Sequence, residues 1–535
     1  EYFVSQPSTS TNPKFHFDIL LEEEYFNNNN NYYPLTIIKN ERVTNEQHFQ
    51  ETRLISLFIG EDTFLEEYTL MEYLFRYNPG DVLMVLPENL INSLEMAKNV
   101  LIKCKNLWDL PMSICRSSSN VPISPQFVSL TLSALFQYYF DLQCIPKRSF
   151  IKKFASIAED ELEKERLLEL CSPEGIDDYY EYCIYSKRSI CEFLRDFPQT
   201  SALLTIGHFL DFFPIIRSRA FSIASSPSGH LNEIQILVAK VKYNIRRIKT
   251  PRFGLCSNFL CSTNPGHQVY ARISPGIFKY DKEQVTPYIL IGPGTGVAPF
   301  RSMIVENEFN RKCPITLFFG CRNEAMDFYF KDEWSNYKNL NLFTAFSRDQ
   351  EEKIYVQHKI SENPKELWNL INCGGAKIFI AGSAGDMPKQ VINSFKQVFI
   401  QEGKMSAEEA DKFVELMEKK KLIQYETWNF ACALFLSLSF GLVDFNYTKI
   451  VNSFLRLFSR KTQEEISLDR LNEQMIQIKN QMSMLSPTAD FAKYYKNEPE
   501  FFVIFKMDAK WFWPLNILNL QNNVFGGQGK EEEGL

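Results

Sequence analysis

The chain has no Cys-x-x-Cys pair and nowhere sets histidines beside cysteines. Its 12 cysteines are scattered, and there are only 6 histidines. That argues against the common zinc-site spacings and against a disulfide framework. Dispersed thiols fit a reducing compartment. Basic residues are outnumbered, 58 against 65 acidic, for a net charge of −7. A general basic footprint for nucleic acid is therefore missing. No signal peptide opens the chain. The first residue is Glu1 rather than Met, which gives the expectation of a fragment. No apolar run reaches the roughly 20 residues that span a bilayer. The longest, Phe430 to Phe445, has about 16.

What is present reads as globular. Apolar content is 45% and charged content 23%, ordinary for a packed protein. A length of 535 residues suggests three or four domains. Residues 1–43 read as a flexible linker, because five consecutive asparagines beside an acidic run bury little. From His48 the character changes. HFQETRLISLFI has apolar residues near a period of two, and YNPGDVLMVLPEN places a Pro-Gly-Asp turn before an apolar run. Residues 91–210 read as helical, with SPQFVSLTLSALFQYYFDL and SFIKKFASIAEDELEKERLLELC spaced near 3.6. Strands resume at PIIRSRAFSIASS and NEIQILVAKVKY. A helical block thus interrupts an antiparallel β domain at 44–90 and 211–275. From residue 276 to Trp428, strand-like runs alternate with helical patterns, the signature of a parallel sheet with crossover helices.

Several stretches carry chemistry. In ILIGPGTGVAPFR, a strand leads into Gly292, Gly294 and Gly296, and Pro299 suits a first helical turn. Such a loop lets backbone N–H groups approach a pyrophosphate at a helix N-terminus. It is also what a tight structural turn looks like, and its spacing is not that of the GxGxxG fingerprint. FSRDQEEKIYVQ offers Ser347, Arg348, Lys353, Tyr355 and Gln357 after a strand. Cations beside hydroxyls suit a ribose 2′-phosphate, where an acidic residue would suggest NAD. The alternative is a solvated charge cluster. RAFSIASSP sets Arg219 and Ser222 on one strand face, and GLCSNFL opens a helix at Gly254 with free amides.

Taken in order, RAFSIASS, GLCS, GPGTGVAPFR, FFGCRNEAMDFYF, FSRDQEEKIYVQ and the closing YETW resemble the ferredoxin–NADP⁺ reductase-like half of the diflavin reductases. ERVTNEQHFQETRLI and CIPKRSFIKKF add to the match, which covers about residues 44–428. The resemblance implies a flavin-binding β-barrel holding a helical insert, followed by an NADP-binding domain. It implies FAD contacts at Arg148, at Arg219, Ala220, Phe221 and Ser222, and at Gly254, Leu255, Cys256 and Ser257. It implies NADPH contacts at Thr295, Ser347 and Arg348, at Lys353, Ile354, Tyr355, Val356 and Gln357, and at Asp386. Trp428 would stack on the flavin ring and move aside for nicotinamide. Ser222, Cys321 and Glu426 would assist hydride transfer, with no histidine base.

The family carries an FMN module before these domains, and the residues ahead of position 44 read as linker instead. Its implied partner is an anamorsin-like iron–sulfur assembly protein in the cytoplasm. The tail is another matter. Residues 429–461 hold the apolar segment, for which a membrane span is one reading. Residues 462–487 form an amphipathic helix or coiled coil, with Leu468, Leu471, Met475, Ile478, Met482 and Leu485 in heptad steps. Together with 488–535, this tail resembles the tryptophan-rich basic protein that receives tail-anchored proteins at the endoplasmic reticulum. That would imply a membrane location if the tail is genuine. A joined neighbouring sequence or a modulator of nicotinamide access are the other readings.

Overall fold

The computed structural model describes residues 3–5, 32–58, 75–110, 112–115, 129–245, 248–281, 285–310 and 312–428. The expectations for residues 429–535 therefore lie outside the described residues. Among the described residues, no helix is long and apolar enough to cross a membrane.

Six strands build an antiparallel barrel: β1 (Tyr33–Arg42), β2 (Thr52–Phe58), β3 (Val82–Leu86), β4 (Arg219–Ser222), β5 (Glu233–Ala239) and β6 (Gln268–Ser274). Their order is β4-β3-β6-β1-β2-β5. A bridge between Ile223 and Ile236 joins the two edges. Leu35, Ile37, Ile55, Leu57, Leu83, Val85, Ile234 and Ile236 fill the interior, and the helix Leu255–Ser262 adds Cys256, Phe259 and Leu260 to the same core.

The linker expected over 1–43 is corrected here. Phe3–Ser5 pairs with Met112–Cys115, and β1 lies inside the barrel sheet, bonded to β6 and β2. Its alternation is interrupted by a register shift between Ile37 and Lys39. That irregularity hid the strand, because a bulge puts two consecutive residues against one partner.

Helices occupy the insert, among them Ile91–Val100, Leu132–Tyr138, Arg148–Ser156, Glu161–Cys171, Ile190–Asp196 and Ile206–Phe212. The pattern SFIKKFASIAEDELEKERLLELC is two helices, because the Asp160 side chain accepts from Glu163 N at 2.9 Å and starts the second. Phe136, Phe140, Phe150, Phe154, Phe193 and Phe209 centre this region's own core.

Five strands form the parallel sheet: β7 (Tyr288–Ile291), β8 (Ile315–Cys321), β9 (Leu340–Phe346), β10 (Lys377–Ser383) and β11 (Ile423–Trp428). Their order is β9-β8-β7-β10-β11. β7 and β8 are buried on both faces, so they read as unbroken apolar runs. The chain builds outward from β7 to β9 and then returns to β10 on the other side. Ligands of such sheets bind at that reversal, beyond the carboxyl ends of the strands.

Two charged side chains on the helix Ala298–Phe309 tie the barrel to this sheet. Arg301 is 4% exposed. It donates to Ala224 O at 3.0 Å, to Gln235 Oε1 at 2.6 Å and to both oxygens of Glu333 at 2.7 and 3.0 Å. Glu306 accepts from Ser226 Oγ at 2.7 Å and from Ser228 N and Oγ at 3.1 and 2.9 Å. Buried charges of both signs persist only when paired in this way.

Candidate flavin and nicotinamide site

A hydrogen bond joins the barrel strand β4 to β11, the last strand of the parallel sheet. Ser222 Oγ, at the end of β4, donates to Glu426 Oε1 on β11 at 2.6 Å. The second oxygen, Glu426 Oε2, is buried with no hydrogen-bond partner among the described residues. Burial raises the Glu426 pKa to about 7, Ser222 opposes the rise, and the Asp81 charge adds to it. Asp81 itself accepts from Asn78 N at 2.8 Å and Gly276 N at 3.0 Å. A carboxyl that titrates near neutrality beside a hydroxyl can hold or release a proton where a cofactor ring would lie. The orphaned oxygen fits a polar group brought there by a ligand.

Cys321 is not part of this contact. Its thiol bonds to Asn323 O at 3.6 Å. Burial, then the Asp327 carboxylate, push its pKa well up. The residue paired with Glu426 across the ladder is Ala381. Trp428 ends β11 opposite Ser383, and its carbonyl accepts from Ala384 N at 2.8 Å. The backbone is thus pinned while the indole is 37% exposed.

Arg219 and Ser222 do not share a face. Residues three apart on a strand point oppositely. Arg219 turns back to the carbonyls of Arg217 and Ser218 at 2.8 and 3.4 Å. Ala220 is exposed and Phe221 half-buried. Arg148 donates to the carbonyls of Cys171 and Ser172 at the end of the helix Glu161–Cys171, and its Nε is buried with no hydrogen-bond partner among the described residues.

Gly254 caps the helix Leu255–Ser262 as expected. The reason for glycine is packing, because a Cβ there would lie 2.8 Å from Val241 Cβ and from Ser257 Oγ. Ser257 Oγ accepts from Val241 N at 3.1 Å, and Asn258 Nδ2 donates to Val241 O at 2.8 Å. Val241, which sequence reasoning missed, therefore seats this turn. Burial pushes the Cys256 thiol up to about 12, which leaves it unreactive. The first-turn amides of Leu255, Cys256 and Ser257 precede any intrahelical partner, as an anion site needs.

On the nucleotide side, the loop after β7 divides its glycines by role. A Cβ on Gly292 would sit 2.7 Å from Phe300 Cδ2, and one on Gly296 would sit 2.3 Å from Ala381 O. Gly294 has φ +58° and nothing within 4 Å, so it faces open space. Thr295 follows it in a 3₁₀ turn leading to the helix Ala298–Phe309. Beyond β9, Ser347 N and Oγ donate to Cys321 O at 3.0 and 3.2 Å, and Arg348 N donates to Arg322 O at 2.8 Å. Arg348, Lys353 and Tyr355 are exposed. Ile354 is half-buried, and Val356 is buried near Gly320, so its side chain belongs to the core. Gln357 donates to Gln390 at 2.7 Å. Asp386 is exposed at the start of the helix Met387–Gln401.

Comparison with known proteins agrees with this layout. Residues 38–259 match the family described as "FAD binding domain" and residues 290–391 the "Oxidoreductase NAD-binding domain". NADPH-dependent diflavin oxidoreductase 1 of Danio rerio is 41% identical over 404 residues, 74% of this chain and 65% of that protein. Its Xenopus laevis counterpart is 40% identical over 402 residues, 74% and 64%. The Schizosaccharomyces pombe protein is 35% identical over 401 residues, 74% and 65%. The chain thus spans just under two thirds of these relatives. None of these matches supports the likeness of the tail to a receptor for tail-anchored proteins. The chain carries the FAD-binding and NAD-binding domains of an oxidoreductase, and over that span it is similar to the NADPH-dependent diflavin oxidoreductases.

Proposed function

We propose that these two domains act as an NADPH-dependent flavin reductase, taking hydride from NADPH onto FAD and passing electrons on singly. The observation that carries this reading is the Ser222–Glu426 hydrogen bond, which sets a near-neutral carboxyl between the flavin barrel and the nucleotide sheet. FAD supplies the ability to accept a hydride and release single electrons. The residues supply placement. The strand β4 and the turn Gly254–Ser257 hold one face, and the first-turn amides favour a pyrophosphate. Gly294 permits close backbone approach on the nucleotide side. Arg348 and Lys353 suit the 2′-phosphate that separates NADPH from NADH. Ser222 and Glu426 would hold a proton beside a bound flavin, and the exposed Trp428 indole at the end of β11 would cover its ring.

Onward transfer to an FMN module, and from there to an anamorsin-like iron–sulfur assembly protein in the cytoplasm, belongs to the same proposal. It is supported by the likeness to diflavin oxidoreductases. The test is the purified chain under anaerobic conditions. It should be yellow, carry about one FAD per chain, bleach on NADPH addition and reduce ferricyanide. A chain reconstituted with FAD that NADPH does not bleach overturns the proposal.

A further inference from the structure

We propose that His48, on the barrel, is a positioning residue for nucleotide binding. It acts by holding Asp327 and, through Asp327, the backbone of Arg322 and Asn323 at the crevice mouth. This rests on the reductase reading above and names a residue that none of the expected contacts includes.

The geometry runs as a chain of contacts. Between β1 and β2, the loop Val43–Glu51 crosses to the parallel sheet, where Asn45 N donates to Met326 O at 2.8 Å. Arg42 shapes this loop by donating to the carbonyls of Thr44, Asn45 and His48 at 3.1, 2.8 and 2.8 Å. The His48 ring is buried, and its Nδ1 lies 2.9 Å from Gln50 O. Its Nε2 is buried with no hydrogen-bond partner among the described residues and points to Asp327 Oδ2 at 3.8 Å. Asp327 is itself buried and accepts from Arg322 N at 3.1 Å and Asn323 N at 2.7 Å. The next loop residue, Phe49, lies under the Arg322 guanidinium at 4.2 Å. His48 and Phe49 thus touch both ends of the segment Arg322–Asp327.

That segment is also the floor of the nucleotide loop. Arg348 N donates to Arg322 O at 2.8 Å, and Asp349 accepts from Asn323 Nδ2 and Glu324 N at 2.6 and 2.8 Å. A displacement at His48 therefore moves the backbone carrying Ser347 and Arg348. A buried imidazole edge facing a buried carboxylate across 3.8 Å favours an N–H on Nε2, because a bare lone pair there would oppose the carboxylate. The other charged and titratable groups near this contact are Arg42, Arg322, Cys321 and Tyr329.

The experiment is steady-state and stopped-flow flavin reduction by NADPH in the full chain with FAD bound, comparing wild type, His48→Ala, His48→Gln and Asp327→Asn. Replacing His48 by Ala should raise KM for NADPH about tenfold, with the smaller part of the loss in kcat, as expected when a supporting group shifts a binding loop. Gln keeps an N–H donor and should recover most of the loss. In an Asp327→Asn background, the His48→Ala effect should shrink to under about twofold, because the two act as one unit. If His48→Ala fails to fold, Asp327→Asn alone should raise KM in the same way. A wild-type chain that NADPH does not bleach overturns the reductase reading itself. A bleached wild type whose His48→Ala and Asp327→Asn variants share its KM overturns the His48 assignment alone. So does an effect of His48→Ala that persists unchanged in the Asp327→Asn background.

Discussion

Ser222 and Glu426 are separated by 204 positions and joined by a 2.6 Å hydrogen bond. One belongs to the barrel and the other to the last strand of the parallel sheet. Neither domain has the pair alone, so proton handling at this site exists only when the two are docked.

The pH dependence follows from the Glu426 pKa, raised to about 7 from 4.5. An acid that keeps its proton longer when folded makes stability fall as pH rises across that interval, and level off above it. Glu426→Gln keeps an acceptor for Ser222 but does not titrate. Relative to wild type, this variant should gain about 2–4 °C in Tm between about pH 5 and pH 8. Its rate of flavin reduction by NADPH should lose any break near neutrality. Thermal melts and stopped-flow rates across that range check both, and a wild-type break that survives in Glu426→Gln would assign it to another group.

The Gly-rich loop predicts two unlike outcomes for similar substitutions. Gly296→Ala would press a methyl to 2.3 Å from Ala381 O, a clash with backbone that must displace β10. Gly294→Ala meets no atom within 4 Å, but its φ is +58°, which costs an alanine about 1 kcal/mol. Gly296→Ala should therefore lower Tm far more than Gly294→Ala. Gly294→Ala should fold and show its effect mainly in KM for NADPH, since its new methyl faces the crevice. Equal Tm values for the two would contradict this division.

Arg301 makes a third case. Arg301→Met fills similar space but leaves Ala224 O and the Gln235 amide without their donor and Glu333 without its cation. Breaking a buried, hydrogen-bonded charge in this way costs about 3 kcal/mol. Arg301→Lys should recover little, because an ammonium cannot reproduce the fork to Glu333. Urea unfolding followed by fluorescence should show an earlier first transition as the barrel and the sheet part. An unchanged midpoint would mean that apolar packing holds the domains by itself.

These contacts also show where the sequence was readable. β7, β8 and the turn Gly292–Gly296 announced themselves because apolar runs ending in glycines are local signals. β1 did not, because its bulge at Ile37–Lys39 breaks the alternation and an asparagine run stands just before it. The Ser222–Glu426 pairing was expected from family likeness, not from pattern, since it depends on barrel closure and on β11 joining β10. Cys321 was grouped with that pair by likeness, yet its thiol turns to Asn323 and Asp327, and Ala381 occupies the ladder position beside Glu426. Spacing along one strand also misassigned Arg219, whose side chain diverges from Ser222 by the pleat.

Nucleotide choice gives the last prediction. Arg348 is exposed, and its backbone is fixed by the bond to Arg322 O at 2.8 Å. Arg348→Ala therefore removes a guanidinium while leaving the end of β9 in register. A charge-assisted contact to phosphate contributes about 1.5–3 kcal/mol, or roughly a 10- to 100-fold change in affinity. NADH lacks the 2′-phosphate, so its KM should move less than about twofold. The ratio of kcat/KM for NADPH over NADH should fall by roughly the same 10- to 100-fold factor. Lys353→Ala should act in the same direction with a smaller effect, because a lysine offers a point charge where arginine offers a fork. A loss of equal size for both nucleotides in Arg348→Ala would place this side chain on the part they share, and the 2′-phosphate would have to be held elsewhere.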